Sequence, residues 1–232
     1  MSQVIKWQEP WPGAVPSLEI DADGVGLIVV DIQGEAPPES AEDRFKLDQV
    51  LISNISRLLS WFRAHERPII YLRVGSFLPD AEDQHAKRRL SWGRWNPDLA
   101  EYRRPVGSPD YAIRPEIEPL PGELIIDKNT SGAFNSSAID HYLHQLGLRT
   151  LVVTGVQTYA CVDATARDAA DRGYNVILAA DACSAGTTHA VAEAATLRTF
   201  ARYLGAVKTT DEVLTDLATV SGQSVNSGAA AG

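Results

Sequence analysis

The sequence has few of the features that mark secreted, membrane or nucleic-acid-binding chains. Two cysteines in 232 residues are too few for a disulfide framework. The longest apolar run, 25–30, is far too short to span a bilayer, and residues 1–6 lack a signal-peptide core. The chain has 21 basic and 30 acidic residues, and no basic block stands out beyond 87–89. This balance argues against nucleic acid or an anionic membrane as partner. We expect a cytoplasmic protein.

Short apolar runs alternate along the chain with segments of helical spacing, which indicates an α/β fold. The runs are 26–31, 68–74, 123–127, 150–155 and 175–180, with a weaker one at 206–209. The helical segments between them lie around 50–62, 139–146, 162–169 and 190–204. Nearly continuous apolar strands alternating with helices predict a parallel sheet of about six strands, with helices on both faces.

The distribution of proline, glycine and other breaker residues does not require a second domain, and we predict a single domain over 1–220. Within it, the proline-rich stretch 75–122 loses both periodicities, and we predict an irregular insertion that shapes a pocket. The small and polar ending, 221–232, predicts a disordered tail.

Cys161 follows an apolar strand pattern directly and begins an amphipathic helix pattern. A strand-to-helix turn places a side chain at the carboxyl edge of a sheet, where the helix N-terminus favours a thiolate. This is a suitable place for a nucleophile. Cys183, just past another strand, is interpreted as a small buried residue instead.

Asp31 and Lys128 also end apolar strand patterns, so a parallel sheet can bring them to the same edge as Cys161. The aspartate would accept the thiol proton and return it to a leaving nitrogen, while the lysine would favour both anions. Backbone N–H groups of Gln157 and Cys161 would bind an oxyanion. Each residue alone also has a structural interpretation: Asp31 as a turn cap, Lys128 as a strand-end lysine reaching solvent.

The histidines offer no competing base, since they are scattered along the sequence. His141 and His144 share a helix face, but no carboxylate and histidine set completes a ligand shell. We therefore expect no metal and no cofactor.

The motifs around these positions resemble those of the isochorismatase-like cysteine hydrolases. The matching segments are Val29–Gln33, Asp127–Phe134, Gly155–Val162, Thr165–Ala169 and Gly173–Tyr174 followed by Asp181–Ala182. The resemblance implies a three-layer αβα fold, a triad of Asp31, Lys128 and Cys161, a cis peptide at Val156–Gln157, and a homodimer or homotetramer.

Two departures within the family narrow the chemistry that the resemblance implies. True isochorismatases lack the nucleophilic cysteine, so Cys161 favours amide-type substrates. Nicotinamidases carry an Asp-x-His metal motif after the second strand, where this chain has Leu72–Ser76. The resemblance therefore favours the branch of N-carbamoylsarcosine amidases and of ureidoacrylate and biuret-type hydrolases.

We predict a cysteine amidohydrolase that releases ammonia from a small linear amide, ureide or carbamoyl compound through a covalent intermediate. The alternatives are a non-catalytic binding or scaffold protein with the same fold, and a nicotinamidase- or isochorismatase-type hydrolase. Aromatic and polar residues near the triad and in the insertion are predicted to contact the substrate: Gln33, Arg73, Trp92, Trp95, Phe134, Gln157 and Tyr159. Core packing or a subunit contact explains Trp92 and Trp95 equally well.

Overall fold

Six parallel strands form one sheet in a computed structural model that describes residues 20, 23–34, 41–78, 80–85, 105–186 and 189–227. The strands are β1 Val25–Val30, β2 Ile69–Val74, β3 Leu124–Lys128, β4 Thr150–Val156, β5 Asn175–Ser184 and β6 Ala206–Lys208. Their order is β3-β2-β1-β4-β5-β6. The order reverses between β1 and β4, where open α/β sheets bind ligands at the carboxyl ends of their strands.

Helices cover both faces of the sheet. Among the described residues they are α1 Ala41–Ala64, α2 Ile139–Gln145, α3 Asp163–Asp171, α4 Ala190–Tyr203 and α5 Thr210–Ser227. Helices α1 and α5 pack on one face through residues such as Phe62 and Leu217, and the other three pack on the opposite face through residues such as Leu143, Ala166 and Phe200. The predicted parallel sheet and three-layer αβα architecture are confirmed.

The central strands are apolar throughout because both of their faces are covered. Every residue of β1 is buried, with odd-numbered side chains in the core under α1 and even-numbered ones in the core under α2 and α3. The helix ends also match their sequence signals. Gly147 and Gly173 have φ values of 65° and 89°, the left-handed conformation that commonly ends a helix.

Helix α5 is the element that the sequence interpretation missed. Val213 and Leu217, four residues apart, are fully buried on the face of the sheet shared with α1. The helix continues to Ser227, into the segment 221–232 for which the sequence predicts a disordered tail. No proline interrupts this segment, and a single helical glycine such as Gly222 costs only about 1 kcal/mol. Residues 228–232 lie outside the described residues.

The described parts of the predicted insertion contain 3₁₀ turns and isolated bridges in place of strands or α-helices. The turns span Pro109–Tyr111 and Pro115–Ile117. A bridge joins Gln33 to Ile113, which brings this segment against the chain leaving β1. Residues 86–104, including Trp92 and Trp95, lie outside the described residues. Within the ranges given above, no helix has the length and apolarity needed to cross a membrane.

Candidate active site

A buried ion pair lies at the carboxyl edge of the sheet. Lys128, the last residue of β3, is fully buried, and its Nζ donates a hydrogen bond of 2.8 Å to Asp31 Oδ2. The same Nζ donates to the carbonyl oxygens of Thr130 at 3.1 Å and Ser131 at 3.0 Å. An ammonium group has three donors, and these three contacts match that number.

Asp31 follows β1 in an unusual backbone conformation, with φ 55°. Its N–H donates to the carbonyl of Leu72 at 3.0 Å, which anchors the turn to β2. Its Oδ2 accepts from Lys128, whereas its Oδ1 is buried and accepts no hydrogen bond from the described residues. Because buried carboxylate oxygens are normally satisfied, this oxygen is a candidate proton acceptor.

The chain leaves β4 beside the chain that leaves β1. Val30 pairs in register with Gly155, so Asp31 and the residues after Gly155 emerge side by side from adjacent strands. Gly155 has φ 115°, and a Cβ there would lie 2.1 Å from the carbonyl oxygen of Val30. Only glycine permits this close backbone approach.

Cys161 lies in a π-helical turn, Thr158–Val162, that runs directly into α3. Within the turn the N–H of Val162 donates to the carbonyl of Gln157 at 3.2 Å, the wider i→i+5 pattern. Single π turns of this kind occur frequently at functional sites. Cys161 is 8% exposed, and the preceding Val156–Gln157 peptide is cis, as the family resemblance implies.

The second cysteine lies in a different environment. Cys183 is buried in β5, and its thiol contacts the carbonyl oxygen of Val153 at 3.8 Å. Burial, assisted by the negative charge of Glu193, raises the pKa of the Cys183 thiol far above its usual range. This thiol is packed as a small core residue and stays protonated at neutral pH.

Two side chains that are predicted to contact the substrate, those of Gln33 and Arg73, form hydrogen bonds within the protein. The Gln33 amide donates to the carbonyls of Tyr111 at 2.9 Å and Val74 at 3.3 Å, and its oxygen accepts from the Val74 N–H at 2.7 Å. Arg73 makes a two-point ion pair with Asp127, its cross-strand neighbour, with N–O distances of 2.8 and 3.1 Å. Both side chains therefore have partners within the protein, and their contact with a substrate stays a prediction.

The alternation of side chains along a strand explains the position of Arg73. Arg73 pairs with Asp127, and Val74 pairs with Lys128, so Arg73 and Lys128 belong to opposite faces of the sheet. Arg73 instead lies over the ring of Tyr111, 4.7 Å from its centroid.

The remaining predicted contacts divide into those beside the nucleophile turn and those away from it. Gln157 is exposed at the start of the turn, and Tyr159 within it stacks on His189 with centroids 5.1 Å apart. Burial and then the charge of Cys161 raise the pKa of Tyr159. Phe134 packs on the core, and the guanidinium of Arg172 covers its ring at 4.5 Å.

The two helical histidines lie away from the candidate site. His144 Nδ1 is 3.0 Å from the hydroxyl of Tyr174, which in turn donates to Asp140 Oδ1 at 3.0 Å. In the part of the chain that the structure describes, no group of three His, Cys, Asp or Glu side chains is placed to hold a metal ion.

One contact beside Cys161 was missed in the sequence interpretation. Thr158, fully buried at the start of the π turn, donates its hydroxyl to Glu193 Oε1 on α4 at 2.6 Å. The available signal was a charge on an apolar face: Glu193 lies three residues after Ala190 and four before Leu197, on the stripe that was expected to be buried.

Comparisons with known proteins agree with this architecture. A model of the isochorismatase domain matches residues 25–212. A ureidoacrylate amidohydrolase of Variovorax paradoxus is 28% identical over 90% of this chain and 89% of that protein. One from Methylobacterium radiotolerans is 31% identical over 74% of this chain and 71% of that protein.

Solved structures show the same relationship. The crystal structure of a cysteine hydrolase from Pseudomonas syringae superimposes with a TM-score of 0.72 and 26% identity, covering 87% of this chain and 95% of the other. The fold thus defines a three-layer α/β protein of the kind found in the solved cysteine hydrolase. The chain belongs to the isochorismatase family, as the sequence motifs predicted.

Proposed function

We propose that the protein is a cysteine amidohydrolase that releases ammonia from a small linear ureide, carbamoyl compound or amide. The observation that carries this proposal is the Asp31 oxygen that has no hydrogen-bond partner among the described residues. It is buried at the sheet edge, next to the strand that leads to Cys161, while the other oxygen of the carboxylate is held by Lys128. A carboxylate arranged in this way can hold and return one proton while the lysine keeps its position fixed.

In the first half of the reaction, Cys161 Sγ attacks the amide or ureide carbon, and its proton passes to Asp31. The carbonyl oxygen becomes an oxyanion, which the backbone N–H groups of Gln157 and Cys161 bind at the start of α3. When the C–N bond breaks, Asp31 returns the proton to the departing nitrogen. Ammonia leaves, and a thioester or thiocarbamate remains on Cys161.

In the second half, water gives a proton to Asp31 and attacks the same carbon. The C–S bond then breaks, and the proton passes from Asp31 to Cys161 Sγ, which restores the thiol. The products are ammonia and a carboxylic or carbamic acid, so atoms and charge balance without a further reactant. Lys128 holds the Asp31 side chain in place throughout, because its three donors are fixed by Asp31 and two carbonyl groups.

The relatives favour ureides among the possible substrates. The similar proteins from Variovorax paradoxus and Methylobacterium radiotolerans are ureidoacrylate amidohydrolases, and the first matches nearly the whole chain. We propose a linear ureide with a free carbamoyl end as the substrate class, with ureidoacrylate as the first compound to assay.

Ammonia release from ureidoacrylate, N-carbamoylsarcosine, biuret and simple primary amides tests the proposal. We expect C161A to abolish turnover with an unchanged circular dichroism spectrum, because it removes the nucleophile alone. The matched control is C183A, which alters the packed thiol and leaves turnover in place. Equal turnover in wild type and C161A contradicts the mechanism, and no turnover on any compound favours a binding protein.

A further inference from the structure

A hydrogen bond between separate elements holds the first residue of the nucleophile turn. Thr158 has no exposed surface, and its hydroxyl donates to Glu193 Oε1 at 2.6 Å. The two residues are 35 positions apart, one in the π turn and the other in α4. A hydroxyl bonded to a carboxylate is among the stronger neutral-to-ion hydrogen bonds, so this contact fixes the turn more firmly than a neutral pair would.

The Glu193 carboxylate also lies close to a third element, the end of β5. Burial raises the pKa of Glu193, and the Thr158 hydroxyl and the backbone N–H of Ala185, just beyond β5, oppose that rise by favouring the charged form. The carboxylate therefore lies where the π turn, the end of β5 and α4 meet.

A second contact docks the start of α4 on the same turn. His189, immediately before α4, stacks on Tyr159 with an interplanar angle of 26°. Tyr159 follows Thr158 directly, so α4 contacts two successive residues of the turn. Glu193 is partly buried, and burying part of a charge carries a desolvation cost that an apolar side chain would avoid, which points to geometry as the role of Glu193.

We propose that Glu193 is a positioning residue for the reaction, acting through Thr158. The carboxylate holds the turn so that the backbone N–H groups of Gln157 and Cys161 face the oxyanion that forms during attack by Cys161. This inference rests on the proposed hydrolase function. It adds that the oxyanion site is completed by an interaction from α4, outside the triad.

Steady-state kinetics of T158V, E193A and the double variant test this role. Displacing an oxyanion donor lowers kcat, so we expect each single variant to lose about tenfold to hundredfold in kcat while KM changes by less than about threefold. Because both residues act through one hydrogen bond, we expect the double variant to lose about as much kcat as the more impaired of the two single variants. T158S restores the hydroxyl and most of kcat, and E193Q keeps one acceptor oxygen and exceeds E193A.

Thr199 supplies the control, because it lies on α4 and its hydroxyl donates within that helix, to the carbonyl of Ala195 at 2.9 Å. We expect T199A to leave kcat unchanged. Hydrogen exchange of the 157–162 amides is measured in parallel, and it rises in T158V and E193A. Unchanged kcat with faster exchange, or multiplicative losses in the double variant, overturns the inference. Absence of wild-type turnover instead contradicts the proposed function.

Discussion

Two ion pairs lie near the same edge of the sheet and differ in what they leave unpaired. Arg73 and Asp127 pair across β2 and β3, and their side chains are 25% and 35% exposed. Lys128 and Asp31 are 0% and 3% exposed, with the same N–O distance of 2.8 Å. In the first pair both carboxylate oxygens accept from Arg73, whereas Asp31 keeps one buried oxygen without a partner among the described residues.

The difference shows how a fold separates a structural charge pair from a candidate catalytic one. Both pairs use the ends of strands and join a carboxylate to a basic group. The two-point geometry of Arg73 gives a donor to each oxygen of its partner, so neither oxygen of Asp127 is left without a hydrogen bond. The single ammonium of Lys128 satisfies one oxygen of Asp31 and holds the carboxylate still, which leaves the second oxygen free to take a proton.

The largest expected contrast is in turnover between D31N and D127N. Loss of a general acid–base group lowers kcat by about 10²–10⁴-fold, and we expect a loss in this range for D31N. D127N removes the charge of the structural pair, and kcat stays within about threefold of wild type. Ammonia release measured side by side checks both values, and comparable losses in the two variants would erase the proposed distinction.

The second contrast is in stability, between K128M and R73M. Removing Lys128 leaves a buried carboxylate uncompensated, which costs about 3–5 kcal/mol of the free energy of unfolding. Removing Arg73 breaks a partly exposed pair and costs about 1 kcal/mol or less. Urea denaturation at neutral pH measures both, and similar costs would show that burial does not separate the two pairs.

The smallest expected effect on turnover is that of C183A. The two thiols, like the two ion pairs, contrast a structural group with a candidate catalytic one. Burial raises the pKa of Cys183, so we expect this thiol to remain unlabelled by iodoacetamide at pH 8 in the native protein. Cys161 takes up one label per chain, and C183A changes kcat by less than about twofold. Peptide mapping after labelling identifies the modified residue; labelling of Cys183 before Cys161 would contradict the assignment.

The sequence predicted the parts of this arrangement that follow from local pattern. Strand-ending positions of Asp31 and Lys128 were readable because apolar runs stop there, and parallel strands deliver their ends to one edge. The strand-to-helix position of Cys161 was readable for the same reason. The family motifs then supplied the cis peptide at Val156–Gln157, which the structure contains.

Features that depend on strand register or on contacts between distant residues could not be predicted from the sequence. The pairing of Arg73 with Asp127 requires the β2–β3 register, which no local pattern gives. Gln33 reads as a polar residue near the site, but its three backbone hydrogen bonds depend on the return of the chain at Tyr111. The link from Thr158 to Glu193 likewise joins elements whose docking no local pattern specifies.

Mass spectrometry of the quenched reaction is the sharpest test of covalent catalysis by Cys161. Wild-type protein mixed with ureidoacrylate, or with whichever compound of the panel is turned over, is stopped in acid within the first turnovers and digested. We expect an adduct on the Cys161 peptide with the mass of the substrate less ammonia, absent from C161A and present in C183A. An adduct on another residue, or turnover without any adduct at Cys161 at the earliest times, would contradict it.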